Sequence, residues 1–364
     1  MKKVLFIITI LTIVITIALI IIQSCSSPAS VPVEYVKTPG NTVEIVIDED
    51  ENTNIKSSLL VYPTEIYWGD TVYVQRVDEN LSSETIKTED LNGFFWRFSI
   101  EGSASAEGYS YEWVTEYPGH YYQDMPVLDR NLQPAEKYFQ CANNFEFPPL
   151  EDLKNPFWEE TRNNMSSPSL KIQFNLSTRL NSKLTKTTVE ILVKPRPEPE
   201  MELLDAWYQN TPEKTFPEVD GNRKNPHETD LRASKKSWIL IGRGRYDPWL
   251  FVRLGNRKPC DPNNPTTLNG WRKQEASLTP STMRDEVRLV RLQLEYYCAE
   301  PGVKSDLAKQ ELAQWLKSLP TPQQAVYMSF LKDKQSSFKY DAPALAKKNM
   351  ELINFLIKEI EHGR

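Results

Sequence analysis

The residues that most often do chemistry are sparse in this chain of 364 residues, and they are badly spaced for it. The three histidines, His120, His227 and His362, stand far apart. None belongs to an H-E-x-x-H pair, which would set two imidazoles on one helical face for zinc, and no C-x-x-C pair offers adjacent thiolates. No G-x-S-x-G turn exposes a nucleophilic serine, and no Walker A loop cradles a phosphate. Gly242-Arg243-Gly244 lacks the third glycine of a dinucleotide loop, and Asp48-Glu49-Asp50-Glu51 lacks the alternating ligands and turn glycine of a calcium loop. Glycoside hydrolysis asks only for two carboxyl groups at a set separation. Glu112, Glu116, Asp124 and Asp129 supply carboxylates, but any acidic chain does as much. We therefore expect no cofactor, no metal and no catalytic residue.

Four cysteines remain: Cys25, Cys141, Cys260 and Cys298. Cys260 and Cys298 both lie in the C-terminal half, and we take them as the first choice for a disulfide. Buried free thiols are the competing reading. A disulfide presupposes an oxidising compartment, which the N-terminus supplies. Lys2 and Lys3 precede 19 residues, Val4 to Ile22, without a charge, glycine or proline. As a helix this run spans about 28 Å, close to the hydrocarbon thickness of a bilayer. Positive charge before it and acidic sequence after it place the body outside the cytoplasm.

The run ends in Ile22-Gln23-Ser24-Cys25, followed by Ser26-Ser27-Pro28-Ala29-Ser30. This resembles the bacterial lipoprotein signal. The resemblance implies that Cys25 becomes the lipidated first residue of the mature chain, although Ile22 and Gln23 depart from the usual box. An uncleaved signal-anchor and a simple secreted product are the alternatives, and all three export the body. The expected localisation is the cell envelope, with the membrane as one partner.

The exported part divides into an acidic and a basic half. From Val31 to Glu200 there are 15 basic and 28 acidic residues, and from Met201 onward 26 basic and 21 acidic. An acidic first half argues against nucleic acid as a partner. After a Ser/Pro/Thr-rich tether (25–42), short β-branched runs recur near 43–47, 59–62, 66–68, 71–77, 94–100, 109–114, 170–176 and 187–193. Alternating runs bounded by Gly, Asp, Asn and Pro read as strands, and this number without helical periodicity reads as a β-sandwich over 43–196. The passage Leu60-Val61-Tyr62-Pro63 through Trp68-Gly69-Asp70-Thr71 resembles the opening of many bacterial Ig-like domains. That implies Ig-like topology and a spacer or binding role. A long insertion, 115–169, interleaves aromatics with prolines, and Tyr121, Tyr122 and Trp158 offer flat faces on which a sugar ring could stack.

Lys194-Pro195-Arg196-Pro197-Glu198-Pro199 reads as a stiff joint opening a connector, 197–237. A short β-hairpin region is expected over 238–278. From Thr279 the apolar spacing changes to threes and fours: Met283, Val287, Val290, Leu294 and Tyr297 share a helical face. Thr279-Pro280 reads as a helix start, Thr321-Pro322-Gln323-Gln324 as a capping box, and Pro320 as a stop. Four helices with short joints predict an antiparallel bundle over 279–364. The fold class is thus α+β and multidomain, an Ig-like antiparallel β-sandwich followed by a helical bundle. The expected function is a non-enzymatic binding or structural role in the envelope, with an envelope protein or a glycan as partner. A carbohydrate-binding or carbohydrate-active protein using the aromatic insertion is the alternative.

Overall fold

A computed structural model describes residues 35–38, 42–50, 54–87, 98–106, 109–117, 131–146, 170–180, 183–201, 260, 268–337 and 343–361. Twelve strands precede five helices among them: β1 Tyr35–Thr38, β2 Thr42–Asp50, β3 Ile55–Tyr62, β4 Glu65–Tyr67, β5 Thr71–Asn80, β6 Ile86–Lys87, β7 Phe98–Ala106, β8 Tyr109–Tyr117, β9 Asn131–Leu132, β10 Lys137–Glu146, β11 Leu170–Leu180, β12 Lys183–Lys194, α1 Leu268–Ser277, α2 Thr282–Cys298, α3 Val303–Ser318, α4 Thr321–Ser337 and α5 Pro343–Glu361. The fold is mixed α and β, as the two sequence periodicities require.

The strands form two five-stranded sheets and a small two-stranded one. The first runs β1-β2-β3-β5-β10 and is antiparallel throughout. The second runs β4-β12-β11-β7-β8 and is antiparallel except where β4 lies parallel to β12. The chain changes sheets within a few residues. It leaves the first sheet at Tyr62, passes the cis Tyr62–Pro63 bond, and pairs Ile66 with Val193 in the second. It then returns through a tight turn, Tyr67-Trp68-Gly69-Asp70, closed by the Asp70 N–H donating to the Tyr67 carbonyl at 2.9 Å. Gly69 has φ +85°, the left-handed value that the third position of a type II turn demands. The Asp70 carboxylate accepts from the Tyr67 N–H at 2.8 Å, which fixes the turn from the other side.

Strand β5 is buried along nearly its whole length. An ordinary strand on a two-layer sheet alternates buried and exposed, so both of its faces must be covered. Register shows how. Val74 pairs with Val61, and Ile45 with Leu59, so Val43, Ile45, Leu59, Val61 and Val74 share one face. They are buried, as are Ile66, Val189, Ile191 and Val193 of the second sheet, and β12 packs on β2. The opposite face carries Tyr73 and Tyr62. It is covered by α4, which packs on β3, β5 and β10, and by α2. Tyr73 belongs to the same apolar cluster as Leu292, Leu312, Leu316, Tyr327, Leu352 and Leu356 of the helices. Residues 35–364 form one compact unit.

The helices follow their predicted stripes. Met283, Val287, Val290 and Leu294 of α2 are buried, and so are Leu289, Leu292 and Tyr296, because α2 lies among α1, α3 and the sheet. One start signal resolves differently from the sequence reading: Ser281, not Thr279, caps α2, its hydroxyl accepting from the Arg284 N–H. At the start of α4 the Gln324 amide nitrogen reaches back to the Leu316 carbonyl at 2.7 Å. The 115–169 insertion is not irregular throughout. It contains β9 and β10, and β10 pairs with β5, with a register shift between Phe139 and Ala142. Helix α1, inside the region read as a hairpin, was not anticipated. The hairpin segments themselves, 238–254, lie outside the described residues.

Candidate functional site

A buried set of polar side chains lies where the tight turn, the proline-rich joint and the start of α2 meet. Its centre is Arg196. Pro195, Pro197 and Pro199 have no N–H to give, so the segment bonds through its side chains. The guanidinium donates to the Trp68 carbonyl at 2.8 Å, to Asp70 Oδ1 at 2.5 Å and to Glu200 Oε2 at 2.6 Å. It also lies 5.5 Å from the centre of the Tyr67 ring. Asp70 Oδ1 accepts a further bond from the Met283 N–H at 3.1 Å, placing negative charge in the first turn of α2, where the helix dipole favours it. Glu200 Oε1 accepts from the Thr279 N–H and hydroxyl at 2.8 and 2.7 Å, which is why Thr279 is not the cap. Four parts of the chain are thereby fastened to one cation.

A second set continues from this centre along β5. The Thr71 N–H donates to Thr282 Oγ1 at 2.8 Å, and its hydroxyl to Glu286 Oε1 at 2.6 Å. The Tyr73 hydroxyl lies 3.3 Å from the same carboxylate oxygen and 2.9 Å from the Tyr327 hydroxyl, the two rings meeting edge to face. Gln323 donates to Tyr327 and to Asp285. Trp315 stacks on Tyr327 with ring centres 6.0 Å apart. Burial, with Glu286 and Asp285 adding to it, pushes the Tyr327 hydroxyl well above its ordinary pKa. Tyr62 is pushed up to about 12 by burial and by Asp285 and Asp70. Burial also raises Asp285 above the usual aspartate value. Such groups stay in the protonation state that hydrogen-bonds their neighbours, and Arg196, Asp70, Thr71, Tyr73, Glu286 and Tyr327 are all buried away from solvent. The arrangement joins layers of the described structure.

A third set lies between α1 and α2. Arg288 and Arg291 both bond Glu275, and Arg272 grips Glu295 through two nitrogens. These pairs dock α1, and Asp285 and Glu311 approach Arg288 and Arg291 at 3.8 and 3.7 Å.

The predicted site residues fall as follows. Cys260 and Cys298 are joined by a disulfide, the latter at the C-terminal end of α2. Cys25, Tyr121, Tyr122 and Trp158 lie outside the described residues, as do the three histidines and the Val4–Ile22 run. Glu112 and Glu116 lie on β8. Among the described residues there is no group of His, Cys, Asp and Glu set to hold a metal ion, and no helix is long and apolar enough to cross a membrane.

No family model matches the chain. No curated protein matches it either. Two solved structures are similar to parts of it. One is the Pseudomonas fluorescens alkylpurine DNA glycosylase AlkC bound to DNA containing an abasic site analog, 9% identical over 39% of this chain and 31% of that one, with a TM-score of 0.19. The other is Spo0M, a sporulation control protein from Bacillus subtilis, 10% identical over 43% of this chain and 55% of that one, with a TM-score of 0.22. The chain spans about a third of the first protein's length and about half of the second's, and likenesses this slight assign it neither a family nor an activity.

Proposed function

We propose that this chain is a membrane-anchored, extracytoplasmic envelope protein with a non-enzymatic binding or structural role, built on an Ig-like sandwich. The Cys260–Cys298 disulfide carries the proposal, because such bonds persist in oxidising compartments and are rare in cytosol. The charge-free run behind Lys2-Lys3 agrees with it. The Ig-like reading draws support from strand order. One sheet holds β1-β2-β3-β5-β10 and the other β4-β12-β11-β7-β8, with β4, which continues β3 beyond Pro63, crossing to lie parallel to the last strand, β12. Ig domains divide their strands between two such sheets. The polar junction around Arg196 ties the tight turn, the joint and α2 together, which fits a structural role.

Mass spectrometry of the mature N-terminus from membrane fractions tests the anchor. A diacylglyceryl-modified Cys25, or an intact Met1 in a protein that partitions with the bilayer, is the expected result. Full-length chain recovered in cytosol with both Cys260 and Cys298 reduced would refute the proposal. Glycan binding through the aromatic insertion is the alternative role, resting on Tyr121, Tyr122 and Trp158.

A further inference from the structure

Helix α1 is fastened on both sides and packs on α2 between the two fastenings. After α1, Glu200 holds Thr279 by its N–H and hydroxyl at 2.8 and 2.7 Å. Before α1, Cys260 is bonded to Cys298, the last residue of α2, with their Cα atoms 5.4 Å apart. The face between is short of hydrocarbon. Of the ten residues of α1, Trp271 and Glu275 alone are buried, whereas α2 buries ten of its seventeen. Trp271 is the one large apolar side chain that α1 sinks. Glu275 takes Arg288 at 2.6 Å and Arg291 at 2.5 Å, and Arg272 reaches Glu295 from a half-exposed position.

A helix this short does not hold itself in water, and ion pairs open to solvent add little. The docking of α1 therefore leans on the disulfide. That bond lies within reach of a reagent, because Cys260 is exposed and Cys298 only half-buried. Exposed disulfides are the labile ones in thiol exchange.

We propose that Cys260–Cys298 is a thiol-operated latch: its reduction by an external dithiol lets α1 swing off α2 about Thr279, while α2 to α5 keep their places on the first sheet. A thiolate of the dithiol attacks Cys260 Sγ, and the broken S–S bond leaves its electron pair on Cys298 Sγ, which takes up a proton. The second thiol of the reagent then resolves the mixed disulfide. Two cysteine thiols result, and the reductant leaves as a disulfide. Release uncovers Trp271 and takes Glu275 away from Arg288 and Arg291. The inference rests on the disulfide and not on the membrane anchor. With the bond intact, an undocked α1 stays tied to α2 at both ends. Cutting a tie around roughly twenty residues raises the open fraction by about 100-fold or more on the loop-closure relation.

The test is amide hydrogen exchange of the full chain in detergent, oxidised, reduced with dithiothreitol, and as C260S/C298S, at several urea concentrations below the unfolding transition. Amides of α1 are expected to exchange about 100-fold faster in the reduced chain and in the double variant. Their rate should not depend on urea, the mark of a local opening that exposes little surface. Amides of α3 and α5 should stay slower than those of α1. Acrylamide quenching of the Trp271 emission, taken as wild type minus W271F, should rise on reduction. If α1 keeps its oxidised-state protection, or speeds up with urea in step with α3 and α5, the proposal is overturned. A disulfide that dithiothreitol reaches only after the whole unit unfolds overturns it too. So does a C260S/C298S chain that fails to fold, because α2 to α5 should hold without the bond.

Discussion

Replacing Arg196 with methionine keeps much of the side-chain volume and removes the guanidinium that Asp70 and Glu200 share. The Arg196 side chain is 0% exposed, and its partners Asp70 and Glu200 are 2% and 6% exposed. Breaking a buried pair by deleting one partner costs about 3–5 kcal/mol, because the remaining charge is stranded away from water. Here two carboxylates are stranded, but each keeps two donors: Asp70 those of Tyr67 and Met283, Glu200 the N–H and hydroxyl of Thr279. Those bonds argue for the lower end, about 3 kcal/mol. In a unit spanning residues 35–364 that lowers the melting temperature by roughly 4 °C, at about 2.1 cal/mol/K of unfolding entropy per residue. The assay is denaturant and thermal unfolding of R196M beside R272M, whose partner bond to Glu295 has its arginine half exposed. Exposed pairs contribute about 0–1 kcal/mol, so R272M should scarcely move. The triple variant R196M/D70N/E200Q removes every charge of the set and should recover at least half of the loss. An R196M loss no larger than that of R272M, or a triple variant as unstable as the single one, would refute the reasoning that buried charge holds the junction.

Other outcomes follow from single features. The Cys260–Cys298 bond closes a loop of 38 residues, for which the chain-entropy relation gives roughly 4 kcal/mol; C260S/C298S should unfold at correspondingly lower denaturant, and thiol labelling of the unfolded, unreduced wild type should find neither cysteine reactive. Gly69→Ala puts a Cβ at φ +85° and should destabilise by about 1–2 kcal/mol, read by the same unfolding assay. If the insertion binds glycans, changing Tyr121, Tyr122 and Trp158 to alanine should abolish binding on a glycan array while leaving the melting temperature unchanged; binding that survives all three changes removes those residues from the account.

Much of the secondary structure was legible because it is written locally. Alternation at Val43–Ile47, Thr71–Val77 and Thr187–Val193 marks strands, and threes and fours from Met283 to Tyr297 mark a helix. What escaped depends on distant partners. β10 was hidden because it lies in a stretch that interleaves aromatics with prolines, Pro134 among them; its pairing with β5 is a long-range event. The α2 cap moved because Glu200, 79 residues away, takes Thr279. The junction left one faint signal, an arginine among three prolines with a glutamate four residues on. Its other partner, Asp70, is 126 residues away, and Tyr73 meets Tyr327 across 254 residues. No local pattern encodes either.

The helices could have covered the outer face of the first sheet with hydrocarbon alone, and an apolar seam would be at least as stable. The seam instead mixes Tyr73 with Thr71, Glu286, Tyr327 and Gln323. Apolar contact tolerates sliding, whereas a hydrogen-bonded set is satisfied in one register only, since a shift leaves buried groups without partners. The polar seam thus fixes where α2 and α4 sit on β5. Arg196 extends the same constraint to the tight turn and the joint. Fixing one arrangement of layers, rather than adding stability, is the effect of such a set. The structure places its buried charges where that arrangement is decided.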